Sequence, residues 1–333
     1  VDATRVGVVG AGWIAEEHVA TISGLEDADV VAVCDLEPAR AEALASKAGA
    51  RAYGDWGDLL EKEDLGALFV CVPPLAHREP ALAAIERGLP LYLEKPIARN
   101  LEDALAIAAA AARSGTVCAV GYQWHALDLL DDVADLLAGQ EIGLLVGTSI
   151  GPTASRPWFL DRKAGGGNLL ERGSHHLDLV RTVGGEVRSV QALGGRVQLA
   201  RGGAGAGDID DAVTILLELA SGGVAAVVVA WTKEGQPGTY SLDVVAGEAT
   251  LRLVLDPDFS LGGVSRGQAV NRRGKSLPFE RSVRRFITAA RSGHASQVFC
   301  PPGDAVRTLA VAVAAEEALE SRRAVVVEAL DLS

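Results

Sequence analysis

The chain has 333 residues, 49% of them hydrophobic, and a formal net charge of −13. That length suggests two domains, and the acidic balance excludes a nucleic-acid or anionic-lipid partner, because phosphate-rich surfaces call for basic residues. No apolar run reaches the roughly 18 residues of a membrane span, no secretory signal precedes the first strand, and Cys34, Cys71, Cys118 and Cys300 form no C-x-x-C pair, so a cytoplasmic location with buried thiols is expected.

The first informative segment is Val6-Gly7-Val8-Val9-Gly10-Ala11-Gly12-Trp13-Ile14-Ala15, a strand that turns through glycines into a helix. A dinucleotide pyrophosphate needs this geometry. Gly10 and Gly12 let the backbone turn tightly and approach the phosphates, while the helix opening at Trp13 and Ile14 points unpaired N–H groups at the negative charge. The next apolar run, 30–34, ends at Asp35. A carboxylate there accepts from both ribose hydroxyls and repels a 2′-phosphate, which favours NAD over NADP. Arg40 follows a few residues later and moderates that repulsion. An N-cap for the helix starting near Pro38 is the competing role for Asp35, and the two are compatible.

Apolar runs at 5–9, 30–34, 67–72, 90–93 and 117–121 alternate with helical patterns at 12–23, 38–48, 76–87 and 101–113. Such alternation predicts βαβ units: an α/β, doubly wound parallel Rossmann sheet over residues 1–121. After Gly121 the pattern changes to a helix at 126–138 and longer strands at 142–150, 187–199, 211–219, 223–231 and 239–246. The period of two across 213–219 marks antiparallel pairing. Residues 122–333 therefore read as an α+β domain with a large, mostly antiparallel, open-faced sheet. Leu216, Val224 and Val228 make one face apolar, to be covered by a second subunit or by the chain's own helices. The run Arg201 to Gly207 reads as a loop between strands. A helix at 303–322, placed to pack back on the first domain, and a strand at 324–328 close the chain.

Two further segments carry chemistry. Leu91-Tyr92-Leu93-Glu94-Lys95-Pro96 places Lys95 at the C-terminal end of a parallel strand, where ligands of open α/β sheets bind. Gly165-Gly166-Gly167 leads into a helix predicted from Leu169 to Val183. At about 100° per residue, Glu171, His175 and Asp178 share one face, and His176 points away toward packing or capping. An imidazole one turn from a carboxylate is the arrangement that orients a general base. The same three side chains offer metal ligands, but no second ligand cluster accompanies them, so no metal is expected.

Together these segments resemble the Gfo/Idh/MocA oxidoreductases, a family that includes glucose–fructose oxidoreductase and the inositol dehydrogenases. The resemblance rests on Gly10-Ala11-Gly12, Cys71-Val72-Pro73-Pro74-Leu75-Ala76-His77, Glu94-Lys95-Pro96, the stretch from Gly165 to Asp178 and the strand near Asp210-Asp211-Ala212, in the family's order and spacing. It implies Lys95 and His175 as a catalytic pair completed by Glu171. It also implies that Val72, Pro73, His77, Glu94 and Gln123 lie along the NAD site. Trp124, His125, Trp158, Arg162 and Asp178 are then candidates to hold a sugar, polyol or inositol-type substrate. The family's last motif commonly reads D-x-G-x-H-x-x-D, and Glu171 here replaces the first aspartate, which moves the carboxylate by one methylene. The segment Gly121 to His125 also departs from the family's tyrosine- or arginine-bearing one, so the substrate stays open. The implied activity is hydride transfer between a carbinol and nicotinamide, in a homodimer or homotetramer built through the C-terminal sheet. Two other readings of the same fold stay open: an NAD-dependent glycoside hydrolase using transient oxidation, and a non-catalytic dinucleotide or sugar sensor.

Overall fold

The computed structural model describes residues 3–152, 157–197, 209–232 and 235–330. The loop expected at 201–207 lies outside the described residues. The chain divides into two compact units, one of residues 1–126, 278–306 and 332–333, the other of residues 127–277 and 307–331.

In the first unit the elements run β1 (Thr4–Val9), α1 (Trp13–Ser23), β2 (Ala28–Cys34), α2 (Pro38–Ala48), β3 (Arg51–Tyr53), α3 (Trp56–Lys62), β4 (Ala67–Val70), α4 (Arg78–Glu86), β5 (Leu91–Leu93), α5 (Leu101–Ser114) and β6 (Cys118–Val120). The six strands are parallel, in the order β3-β2-β1-β4-β5-β6. The order reverses beside β1, so the ligand crevice opens beyond the C-terminal ends of β1 and β4. Helix limits follow local chemistry. Pro38 starts α2 and Gly49 ends it at φ 67°, while Asn100 accepts from the Asp103 N–H to cap α5.

Residues 278–306 were expected in the second domain and belong to the first unit. The reason is packing. Helix α9 (Pro278–Ser292) buries Val283, Phe286 and Ile287 in one cluster with Val6, Val8, Phe69 and Tyr92. Phe286 stands edge-on to Phe69 and Tyr92 at 5.3 and 5.4 Å, a burial that contributes about 2–3 kcal/mol.

The second unit holds α6 (Leu129–Leu137), β7 (Ile142–Pro152), α7 (Arg162–Gly165), α8 (Ser174–Gly184), β8 (Val187–Gly195), β9 (Ala212–Leu219), β10 (Val224–Thr232), β11 (Thr239–Ala246), β12 (Ala249–Asp256), β13 (Ser260–Ser265), β14 (Gln268–Arg273) and β15 (Val325–Val326). Helix α10 (Pro302–Ser321) carries the unit boundary within it. The nine strands form one sheet in the order β14-β13-β12-β11-β7-β10-β9-β8-β15. Only the β10–β7 pair is parallel among them, as the mostly antiparallel reading expected.

Helix α8 packs its buried side on this sheet. A Cβ at Gly147 of β7 would lie 2.9 Å from His176 Cδ2, and the His176 Nε2 donates to Ser241 O at 3.2 Å. His176 is thus a core residue, as its position on the helix suggested. On the opposite side of the sheet, among the described residues, Leu216 is 51% exposed, Val224 49% and Val264 48%. All four cysteines are buried and none forms a disulfide. Among the described residues no helix is long and apolar enough to cross a membrane.

Candidate active site

The glycine turn is built from backbone contacts. Gly10 donates to Cys34 O at 2.7 Å, and Cys71 donates to Val9 O at 2.7 Å, which fastens the turn to the ends of β2 and β4. Gly10 has φ 101° and a Cβ there would lie 2.6 Å from Cys71 O, so only glycine fits. Gly12 differs. It precedes α1 at φ −82°, and a Cβ there would meet nothing within 4 Å. The space over Gly12 is open where a pyrophosphate would approach a helix N-terminus.

Asp35 closes the turn from the side. Its Oδ2 accepts from the Ala11 N–H at 2.7 Å and its Oδ1 from the Glu37 N–H at 2.9 Å. The N-cap position itself is Glu37, so Asp35 shapes the approach to α2 without being its cap residue. Arg40 is exposed and paired with Glu37 at 3.0 Å. Ile14 and Val72 are half-buried, and Pro73 is exposed beyond β4. Three large apolar side chains beyond the ends of β1, β2 and β4 are exposed: Trp13 at 56%, Leu36 at 89% and Leu75 at 54%. Leu36 was not singled out from the sequence, and Leu75 only as part of the Cys71–His77 motif. Their signal was an apolar residue within a few positions of a strand end, where a turn ordinarily places polar ones. The carboxylate of Asp35, the cradle at Gly10 and the open space at Gly12 fit a bound dinucleotide.

Two expected cofactor residues are buried. His77 is fully buried, with Nε2 2.8 Å from Val72 O and Nδ1 3.2 Å from Ile97 O. Burial lowers its pKa, and the neutral ring this favours carries one N–H, so it donates to one of the two carbonyls at a time. Glu94 is also buried, bonded to His18 Nε2 at 2.7 Å. The sequence reading missed His18. Lys95 is half-buried immediately beyond β5. Gln123 is half-buried and Trp124 buried on a 3₁₀ turn over Gln123–Ala126, and His125 Nε2 lies 3.7 Å from Asp304.

In the second unit the expected continuous helix over 169–183 is not regular. Leu169–Gly173 forms a π-turn that runs into α8. The 100° step of an α-helix therefore does not apply across Leu169–Gly173, and a shared face for Glu171 and His175 does not follow from it. Single π-turns recur at functional sites. His175 and Asp178, both within α8, keep their shared side. Glu171 and His175 are half-buried and Asp178 is buried. Asp178 Oδ1 accepts from Thr308 Oγ1 at 2.9 Å, which accepts from Arg181 Nη1 at 2.7 Å. Arg181 in turn forks onto Glu186 at 3.1 and 2.8 Å. Trp158 and Phe159 meet at a 56° tilt with centroids 3.9 Å apart, and a Cβ at Gly165 would lie 2.9 Å from the Trp158 indole. Arg162 pairs with Asp210 at 3.3 Å.

Two family models match the chain. The one described as "Oxidoreductase family, NAD-binding Rossmann fold" covers residues 4–122, and the "GFO/IDH/MocA C-terminal domain" covers 140–252. The chain belongs to the GFO/IDH/MocA family. Its first unit carries that family's NAD-binding Rossmann fold, and the relatives it matches include proteins named as dehydrogenases and oxidoreductases. Inositol 2-dehydrogenase 3 of Saccharopolyspora erythraea is 37% identical over 120 residues, 35% of this chain and 36% of that protein. The match thus spans about a third of that relative's length. The rhizopine catabolism protein MocA of Rhizobium meliloti is 28% identical over 324 residues, 95% of each chain. A levoglucosan dehydrogenase solved with NADH and levoglucosan superposes with a TM-score of 0.85 at 19% identity, over 98% of this chain and 100% of that one. That last likeness is one of fold.

Proposed function

We propose that this family member is an NAD-dependent dehydrogenase of a sugar, polyol or inositol-type hydroxyl. The observation that carries the reading is the Asp35 carboxylate fixed on the Ala11 N–H of the glycine turn, within a chain whose family is NAD-binding. A carboxylate held there favours the two ribose hydroxyls of NAD and disfavours a 2′-phosphate. Bound NAD would supply the hydride acceptor. The turn from Gly10 to Gly12, with the α1 N-terminus, would hold its pyrophosphate.

The protein's remaining task is the proton. His175 acts as general base on the substrate hydroxyl, and Lys95 donates to the same oxygen to stabilise alkoxide character as hydride leaves. Glu171 supports the charge His175 gains. Trp124, His125, Trp158, Arg162 and Asp178 are the candidates to orient the substrate. The Asp178–Thr308–Arg181 chain holds the Asp178 carboxylate in one orientation. The apolar sheet face carrying Leu216, Val224 and Val264 is proposed as the contact between copies of the chain, in a homodimer or homotetramer.

The test is a panel of inositols, aldoses and sugar acids assayed with NAD and separately with NADP. Reduced NAD accumulates with at least one of them, and Lys95→Ala and His175→Ala each lower kcat by about 10²–10⁴-fold. Dinucleotide affinity in both variants stays within about threefold, worth under 1 kcal/mol. Near-normal rates in both variants would overturn the assignment.

A further inference from the structure

Helix α1 turns Ala15, His18, Val19 and Ile22 inward. His18 is fully buried among the rings of Phe69, Tyr92 and Phe279, whose centroids lie 5.1, 5.1 and 4.6 Å from its own. An aliphatic side chain would suit so apolar a place. The imidazole does not even satisfy itself there: Nδ1 has no hydrogen-bond partner among the described residues, a condition that costs stability and asks for an explanation. The chemistry of the position therefore lies in Nε2, which donates to Glu94 Oε1 at 2.7 Å.

Glu94 follows β5 directly. Its backbone N–H donates to Val70 O at 3.0 Å, and its Oε2 accepts from the backbone N–H of Lys95 at 3.1 Å. Gly121 leaves room for the carboxylate, since a Cβ there would lie 2.9 Å from Oε1. One carboxylate oxygen is thus held by His18, and the other holds the backbone of Lys95. Stability alone does not account for this pair. Replacing both partners of a buried hydrogen bond by apolar groups of the same shape can be nearly neutral or stabilising.

We propose that His18 is a positioning residue for Lys95: through Glu94 it fixes the backbone from which the lysine side chain departs, and it ties that point to the helix that opens at the dinucleotide turn. The inference rests on Lys95 being the catalytic amine of the proposed dehydrogenase. A misplacement of about 1 Å in a catalytic group costs on the order of 10²-fold in rate, so a brace on the Lys95 backbone bears on turnover while leaving dinucleotide contacts intact.

The experiment compares His18→Leu, His18→Gln and Glu94→Ala in the full chain, with two readouts. One is kcat and the KM for NAD. The other is the Lys95 backbone amide resonance in a ¹H–¹⁵N spectrum, which reports the bond to Glu94 without passing through turnover. His18→Leu moves the Lys95 amide and lowers kcat by about 10- to 100-fold, with the KM for NAD within about threefold. His18→Gln keeps a side-chain N–H for Glu94 and recovers most of both. Glu94→Ala leaves neither His18 nor the Lys95 N–H a side-chain partner there, so the amide moves and kcat falls as well. An unmoved amide with normal kcat in His18→Leu overturns the proposal, and so does a His18→Gln variant as impaired as His18→Leu. Should His18→Leu fail to fold, a normal amide and kcat in Glu94→Ala overturn it. Retained turnover in Lys95→Ala would instead defeat the catalytic reading of Lys95, and the amide shift alone would then judge the brace.

Discussion

Gly10 and Gly12 stand two residues apart in one turn, yet alanine at each has a different consequence. At Gly10 a Cβ meets Cys71 O at 2.6 Å and Cys71 C at 2.8 Å, and φ is 101°. The obstacle is backbone on the neighbouring strand end, which cannot swing aside as a side chain would. Strain of about 1–3 kcal/mol for the left-handed conformation, added to an overpacking cost of about 1–3 kcal/mol, gives about 4 kcal/mol in all. For a domain of this size that lowers Tm by roughly 10 °C. At Gly12 φ is −82° and the Cβ meets nothing within 4 Å. Gly12→Ala therefore costs at most about 1 kcal/mol as a poorer N-cap. Its methyl instead occupies the approach to the helix N-terminus and weakens NAD by about 10- to 100-fold, or about 1.4–2.8 kcal/mol. Thermal melts and calorimetric titration with NAD separate the two. Wild-type affinity in Gly12→Ala, or a wild-type Tm in Gly10→Ala, would refute the geometry assigned to the turn.

Asp35→Ala removes the acceptor from the Ala11 N–H and raises the KM for NAD by about 10- to 100-fold, while the disadvantage of NADP narrows; steady-state kinetics with both dinucleotides reads this. His176 is held by burial at a pKa of about 4, against its ordinary 6.5. Below pH 6.5 the unfolded chain takes up a proton that the folded chain refuses, so up to about 3 kcal/mol of stability is lost between pH 6.5 and 4. Urea unfolding of the wild type and His176→Leu at pH 7 and 4.5 checks this, because the variant lacks that part of the acid slope. Leu216→Asp places a charge on the exposed sheet face, and light scattering should then find smaller particles than the wild type with the circular dichroism spectrum unchanged.

Much of the first unit was legible because its signals are local. The βαβ alternation, the glycine turn and Asp35 each depend on residues within one loop of each other. Strand β3 and helix α3 escaped because they are only three and seven residues long, too short for a period to stand out. The apolar stripe Val283-Phe286-Ile287 of α9 has plain helical spacing. Its partners Phe69 and Tyr92 lie far upstream, and no periodicity says which sheet a helix will cover. The hairpins of β12 to β14 were available in principle, since Leu251, Leu253 and Leu255 alternate and Arg266-Gly267 turns with φ 48° and 71°.

At the site, sequence order placed Lys95 at a strand end and His175 beside Asp178. The π-turn under Glu171 was invisible because nothing in Leu169 to Gly173 distinguishes i→i+5 from i→i+4 bonding. His77, beside a proline loop, reads as a cofactor residue, and His18 gives no signal in the sequence; only the fold shows both rings buried, one between the Val72 and Ile97 carbonyls and the other on the Glu94 carboxylate.

The central claim is net hydride transfer from a substrate carbinol carbon to NAD. A substrate from the active panel, deuterated at that carbon, tests it when the dinucleotide is recovered and weighed by mass spectrometry. The account predicts one deuterium in each reduced dinucleotide, accumulating in step with oxidised product. Turnover that leaves the dinucleotide oxidised and unlabelled, with a cleaved glycoside as product, would contradict it.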